Sequence, residues 1–297
     1  MSSDPAAPGD DRRSGEHEAE GPLPGPAAGD RTLPPLVTGL IDDAAMFPPG
    51  NAAPGRAVLD HLRHRAAWYA PAIGPLLVPA ARWAEFTEAW ELAGAPELTV
   101  TVIGTCERPD PLPAGLTVAG FELLAGTPAP LPQQPAGTSL AVEFPAHAWE
   151  VPAAVAATAD PRVVGKFRTG GTTASAFPDE RTLAEVVHRT VALGAPMKYT
   201  AGLHHAIRHT DPATGFEHHG FLNLLLATVI ARRGGDIEAV TAALADRDPT
   251  RTADRVRGLT DDEISDARAS FTSFGCCGVT DPIDDLTALG LLAGEDL

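Results

Sequence analysis

RVVGKFRTGGTTASAFPDERTLAEVVHRTVALGAPMKYTAGLHHAIR, residues 162–208, reads as strand, glycine turn, helix, strand, glycine turn. The apolar runs RVVGKFRTGG (162–171) and PMKYTAGLHH (196–205) flank DERTLAEVVHRTVALG (179–194). The middle segment repeats its apolar residues at the three- and four-residue spacing of a helix. Each run carries one lysine, Lys166 and Lys198, and the chain has no others; the remaining 20 of its 22 Lys+Arg residues are arginine. Arginine stays protonated and cannot attack a carbonyl, whereas a desolvated lysine can lose its proton and do so. Lysines that only snorkel or pair with carboxylates are the bland alternative. Two equivalent lysines ahead of equivalent glycine turns favour chemistry.

Outward from this stretch the pattern repeats. Short apolar runs predict strands over 36–47, 73–80, 97–105, 116–125, 139–146 and 270–278, in addition to the two lysine-bearing ones. Helical spacing predicts helices over 54–69, 81–94, 149–160, 220–233, 236–246, 261–271 and 281–292. Pro-rich loops stand where helices of the third and fourth units would fall. Strands that read as unbroken apolar runs suit a parallel sheet buried on both faces. Eight such units in about 260 residues predict an α/β protein of the (β/α)8 TIM barrel class over residues 35–297. The first turn, FPPGNAAPG, lacks the G-x-G-x-x-G pattern of a doubly wound dinucleotide fold.

Reactive groups of such barrels sit at the C-terminal ends of the strands. Those ends carry Asp42, Asp43, Glu122, Glu143, Lys166, Arg168, Lys198, His204, His205 and Cys276. Crowded ionisable groups shift one another's pKa values, which is how an amine with a reference pKa of about 10.4 becomes reactive near neutrality. Cys276 and Cys277 read as small buried residues, since no nucleophile–base spacing accompanies them.

KFRTGG, a helix, and then PMKYTAG together resemble the lysine-bearing core of class I deoxyribose-phosphate aldolase and its barrel relatives. In that family a sixth-strand lysine sits in a K-T-S-T-G turn and a seventh-strand lysine precedes a Gly-Gly turn. LIDDAAMFPP (40–49) and LLVPA (76–80) resemble its first two strand ends. The resemblance implies a Schiff base at Lys166, tuned by Lys198. It implies a proton-transfer acid on a middle strand, with Glu122 the nearest match and Glu143 the alternative; Asp42 joins this catalytic set. It further implies that the glycine turns at Gly170, Gly171, Gly202 and Gly275 face a small-molecule substrate, a small carbonyl compound such as a sugar phosphate, with Arg168 holding an anionic group. No cofactor is implied. Barrels of this kind often dimerise, so a homodimer is among the expectations. The chain also resembles a bacterial protein family sharing KxRTGG, TAGLHH and HGFLN motifs, a likeness that carries no activity with it.

TAGLHHAIRHT and FEHHGFLN place five histidines, among them His204, His205 and His219, in the loop system after the seventh strand. Histidines lining a polar substrate are the first reading. A metal-dependent hydrolase or isomerase using His204, His205 and His219 is the rival, although no H-E-x-x-H spacing appears. A non-catalytic small-molecule-binding barrel is the third. Asn223, polar within the apolar helix at 220–233, is expected to support this loop.

The net charge of −17 argues against nucleic acid or an anionic membrane as partner, because phosphate recognition needs a basic face. No apolar run approaches the roughly 18 residues of a membrane span. Three cysteines make no disulfide framework, and the N-terminus lacks a basic segment followed by an apolar one, so a cytoplasmic protein is expected. Residues 1–34, dense in Pro, Gly and acids, are expected to be a disordered tail.

Overall fold

The computed structural model describes residues 32–126 and 130–294, so most of the expected N-terminal tail lies outside the described residues. The chain forms a closed barrel of eight parallel strands. In chain order these are β1 (Ile41–Asp43), β2 (Ile73–Pro79), β3 (Leu98–Ile103), β4 (Leu116–Leu123), β5 (Ser139–Glu143), β6 (Val163–Arg168), β7 (Met197–Thr200) and, after a small hairpin of β8 (His209–Thr210) and β9 (Glu217–His218), β10 (Phe271–Cys276). Each barrel strand pairs with its neighbour in sequence, and β10 closes the ring between β7 and β1. This is the (β/α)8 TIM barrel that the alternating apolar runs predict.

The helices are α1 (Pro54–Ala66), α2 (Trp83–Leu92), α3 (Glu150–Thr158), α4 (Glu180–Leu193), α5 (Phe221–Arg232), α6 (Ile237–Ala245), α7 (Pro249–Arg257), α8 (Asp261–Ser270) and α9 (Thr280–Ala288). Their starts follow local chemistry. Asp179 accepts a hydrogen bond from Thr182 N at 2.7 Å to cap α4, and Thr260 with Glu263 forms a capping box on α8. Pro54 opens α1, where its missing N–H costs nothing. Among the described residues no helix is long and apolar enough to cross a membrane.

Two expected elements differ. The first apolar run yields a strand of only three residues, because Pro34, Pro35 and the positive φ of Gly39 (59°) fold residues 35–39 into a turn whose Leu36 and Val37 join the core. Residues 104–115 and the described part of 124–138 hold no helix, so β3 runs to β4 and β4 to β5 through Pro-rich loops. The segment between β7 and β10 instead supplies four helices. Within it α5 is buried on nearly every side, packed by α4, α6, α7 and α8. That explains why its sequence is apolar all round and not striped.

Strand alternation decides what faces the interior. On β6, Lys166 points inward, while Gly165 lies against Met197 and Phe144 on the helix-facing side. On β7, Lys198 points inward and Tyr199 packs edge-on against Phe271 in the outer layer. Lys166 and Lys198 are direct register partners, and so are Glu143 and Lys166.

Candidate active site at the barrel mouth

Register brings the two amines to a common carboxylate. Lys166 Nζ lies 2.7 Å from Glu122 Oε2, and Lys198 Nζ donates a short hydrogen bond to Glu122 Oε1. Each lysine has a second carboxylate: Glu143 Oε2 is 3.1 Å from Lys166 Nζ, and Lys198 Nζ donates to Asp42 Oδ2 at 2.6 Å. Asp42 Oδ2 also accepts from Ser273 Oγ at 2.9 Å. All five ionisable side chains are at most 8% exposed. They come from β1, β4, β5, β6 and β7, so the constellation exists only once the ring is closed.

Backbone choices make room for it. A Cβ on Gly74 of β2 would fall on Asp42 Oδ1, so the carboxylate occupies the space that a side chain would fill. The next residue along β1, Asp43, faces the other way and bonds His61 Nδ1 on α1 at 2.9 Å. Adjacent aspartates thus divide between interior and helix layer, as strand alternation requires.

The electrostatics separate the roles. Burial alone would raise the Glu122 carboxyl, but Lys198 and Lys166 outweigh it and hold its pKa at about 2. Burial alone would lower the Lys198 ammonium, but Asp42 and Glu122 outweigh it and hold its pKa well above the usual lysine value. Glu143 differs: its Oε2 is buried and accepts no hydrogen bond, since Lys166 approaches at ion-pair distance without hydrogen-bond alignment. Three carboxylates face two amines, and Glu143 is the one whose buried oxygen is ion-paired but accepts no hydrogen bond.

Arg168 stands farther out on β6, about half exposed, with its guanidinium 4.0 Å from Glu143 Oε2. Gly170 and Gly202 meet each other. A Cβ on Gly170 would come within 2.7 Å of the Phe177 ring and 3.0 Å of Gly202 Cα, and Gly202 sits at φ 80° under the same ring. Thr169 completes the join, its N donating to Thr200 O at 2.9 Å and its Oγ1 to Ala201 O at 2.6 Å. Gly171 abuts Ala176, and Gly275 faces the interior beside Thr200 and Leu77. Ala44, Leu77 and Ile103, with Phe47 and Cys277, form a small apolar cluster separate from the main core.

The three histidines singled out by the sequence go to different partners. His204 Nδ1 contacts Asp281 Oδ2 at 2.8 Å, and His205 Nδ1 contacts Asp285 Oδ2 at 3.2 Å. His219 is fully buried: Nε2 reaches Pro178 O at 2.7 Å and Nδ1 reaches the Arg208 guanidinium at 3.1 Å. Burial lowers its pKa to about 4, which keeps the ring neutral, so Nε2 donates and Nδ1 accepts. No group of three or more His, Cys, Asp or Glu among the described residues is placed to hold a metal ion. Asn223 supports the loop as expected, accepting from Arg208 N at 2.8 Å and donating to Ala243 O and Asp246 O.

Ser273 and the Cys277–Asp281 side of the mouth escape a reading of the sequence. Ser273 faces inward only because the pairing of the last strand with β7 slips between Phe271 and Ser273, which strict alternation from the outward-facing Phe271 would not give. Asp281 stands 77 residues after His204, a separation that no local motif reveals. Clefts of about 640 and 620 Å3 lie elsewhere, one on the outer helices around Ile230 and Arg255, the other near the strand starts around His61 and Thr117. Neither is lined by the lysines, and the chemistry marks the barrel interior as the candidate site.

The chain matches no protein-family model, no curated protein and no solved structure. The site's own geometry therefore carries the functional argument.

Proposed function

We propose that the protein is a Schiff-base lyase of the aldolase type, acting on a small carbonyl compound with Lys166 as the nucleophile. The observation that carries this reading is the sharing of Glu122 by the protein's only two lysines, inside the barrel and within β6 and β7. A structural ion pair needs one amine and one carboxylate. Burying two amines with three carboxylates is costly unless the group has work to do.

The arrangement favours distinct roles. Lys198, held protonated between Asp42 and Glu122, is the permanent cation. Glu122, with a pKa of about 2 and both oxygens engaged, is too weak a base to exchange protons near neutrality and serves as the bridge. Glu143 is the better proton carrier. A proton passed from Lys166 Nζ across the 3.1 Å ion-pair contact to Oε2, once the two align, yields a neutral amine and a neutral acid, leaving the net charge of the group unchanged.

The neutral Nζ attacks the carbonyl carbon, forming a C–N bond while the carbonyl oxygen takes the proton from Glu143. A second proton, released by the attacking nitrogen and relayed through Glu143, lets that oxygen leave as water and gives the iminium. The iminium nitrogen then accepts the electron pair of the Cα–Cβ bond as it breaks while the β-hydroxyl gives its proton to the Glu143 carboxylate, giving an enamine and releasing an aldehyde. Protonation of the enamine and hydrolysis restore Lys166. Arg168 at the rim suits an anionic substituent such as a phosphate, which the net negative interior would repel.

The test is borohydride reduction in the presence of acetaldehyde or glyceraldehyde, followed by peptide mapping. A reduced adduct on the Lys166 peptide, lost in Lys166→Ala, is expected. An adduct of equal yield in Lys166→Ala, or none on the native chain, would refute the assignment.

A further inference from the structure

His204 lies between two groups that chemistry often places on either side of an imidazole. Its Nδ1 contacts Asp281 Oδ2 at 2.8 Å, and its Nε2 contacts Cys277 Sγ at 3.4 Å. Nucleophile, base and orienting carboxylate therefore stand in line, one on each ring nitrogen, contributed by the end of β10, the loop after β7 and the first turn of α9. This is the relation by which an imidazole activates a thiol while a carboxylate fixes its tautomer. Cys276 is different: it is buried, its Sγ donates to Gly278 O, and burial raises its thiol above the ordinary value. Cys277 is only partly buried, and it packs on the apolar cluster of Ala44, Leu77 and Ile103 with Phe47.

We propose that Cys277, His204 and Asp281 form a second reactive centre, in which Cys277 is the nucleophile for acyl transfer from a small ester or thioester. The apolar cluster beside the sulfur suits a short acyl chain. The groups facing His204 are Asp281 from α9, Cys276 and Cys277 from the end of β10, and His218 from the hairpin. Asp281 first, and then the two thiols, raise the imidazole to about 12, so the ring is a cation near neutrality with its Nε2 beside the Cys277 sulfur.

In the first half-reaction the Cys277 sulfur forms an S–C bond to the acyl carbon, and the bond from that carbon to the ester oxygen breaks. The leaving oxygen takes the proton from His204 Nε2, or departs as a stable anion. In the second half-reaction water adds to the acyl carbon, the C–S bond breaks, and its proton returns to the Cys277–His204 pair. The products are the acid and the alcohol of the ester (the thiol of a thioester, whose carbon–sulfur bond breaks instead), Cys277 is regenerated, and no oxidant or metal is consumed.

The full chain mixed with p-nitrophenyl acetate at pH 6 should release a burst of about one equivalent of p-nitrophenolate. Peptide mapping should place one acetyl group on Cys277, with Cys106 as the reference thiol. Cys277→Ser should lose the burst, and His204→Gln should slow it by roughly 100-fold at this pH. Thermal unfolding of each variant checks that it is folded. Acetyl found only on Cys106 or on a lysine, or a folded His204→Gln that acetylates Cys277 at the native rate, would overturn the proposal. Acetyl maps to Cys277 and borohydride adducts to Lys166, so the two functional readings succeed or fail separately.

Discussion

At the scale of single residues, Glu122 carries one lysine on each oxygen, so replacing it with glutamine removes one of the two carboxylates that each buried amine faces. Glu143 and Asp42 still pair the amines, so the cost should fall below the roughly 3–5 kcal/mol of an orphaned buried charge. Glu122→Gln should show that loss in urea unfolding at pH 7. The pH dependence follows from the direction of the shift. The folded carboxyl lies at about 2 against an ordinary 4.5, so its contribution is present above about 4.5 and fades as pH falls towards 2. The difference between the native chain and Glu122→Gln should therefore shrink across that window. A gap that stays constant down to pH 2 would show that the bridge is not what stabilises the pair. The same residue shows what a sequence can disclose. Its place at the end of an apolar strand marks it as a candidate, but its role as a bridge depends on a lysine 76 positions away.

At the scale of elements, the segment between β7 and β10 is held by buried polar ties and not by its short hairpin alone. Arg208, 5% exposed, reaches Glu180 at 2.7 Å, Glu217 at 3.3 Å and His219. His219 is a base whose folded pKa, about 4, lies below the ordinary 6.5. Unfolding lets it take up a proton between those values, so stability is full above about 6.5 and declines as pH falls towards 4. Substituting His219 by Gln should flatten the slope of unfolding free energy against pH in this interval by about one bound proton. An unchanged slope would assign the acid sensitivity to other groups. The helices and strands here were legible because their apolar periodicity is strong. The helix α7 and the β8–β9 hairpin were not. α7 buries only Thr252, Ala253 and Val256, too narrow a stripe to stand out, and each hairpin strand has two residues.

At the scale of the whole molecule, eight apolar runs, most of them separated by helices, were enough to indicate a closed barrel, because few architectures accept that many parallel strands in one domain. Which rim residues converge was not legible. Alternation sends Asp42 inward and Asp43 towards His61, yet the two are neighbours of identical type in the sequence. Likewise His204, His205 and His219 share one loop system and still serve Asp281, Asp285 and Arg208 separately. Closure, and not local pattern, chooses the companions of each side chain.

The contact of Gly170 with Gly202 beneath the Phe177 ring has a consequence for anyone reshaping this mouth. A methyl group at either position must displace the ring or part the two main chains, and those chains lead directly out of the strands that bear the amines. Gly202→Ala, strained besides by its positive φ, should speed amide exchange at Thr169 as well as in its own turn. The laminated loops then behave as one hinge leaf: Lys166 and Lys198 can be moved together by a change in either loop, and hardly at all one by one.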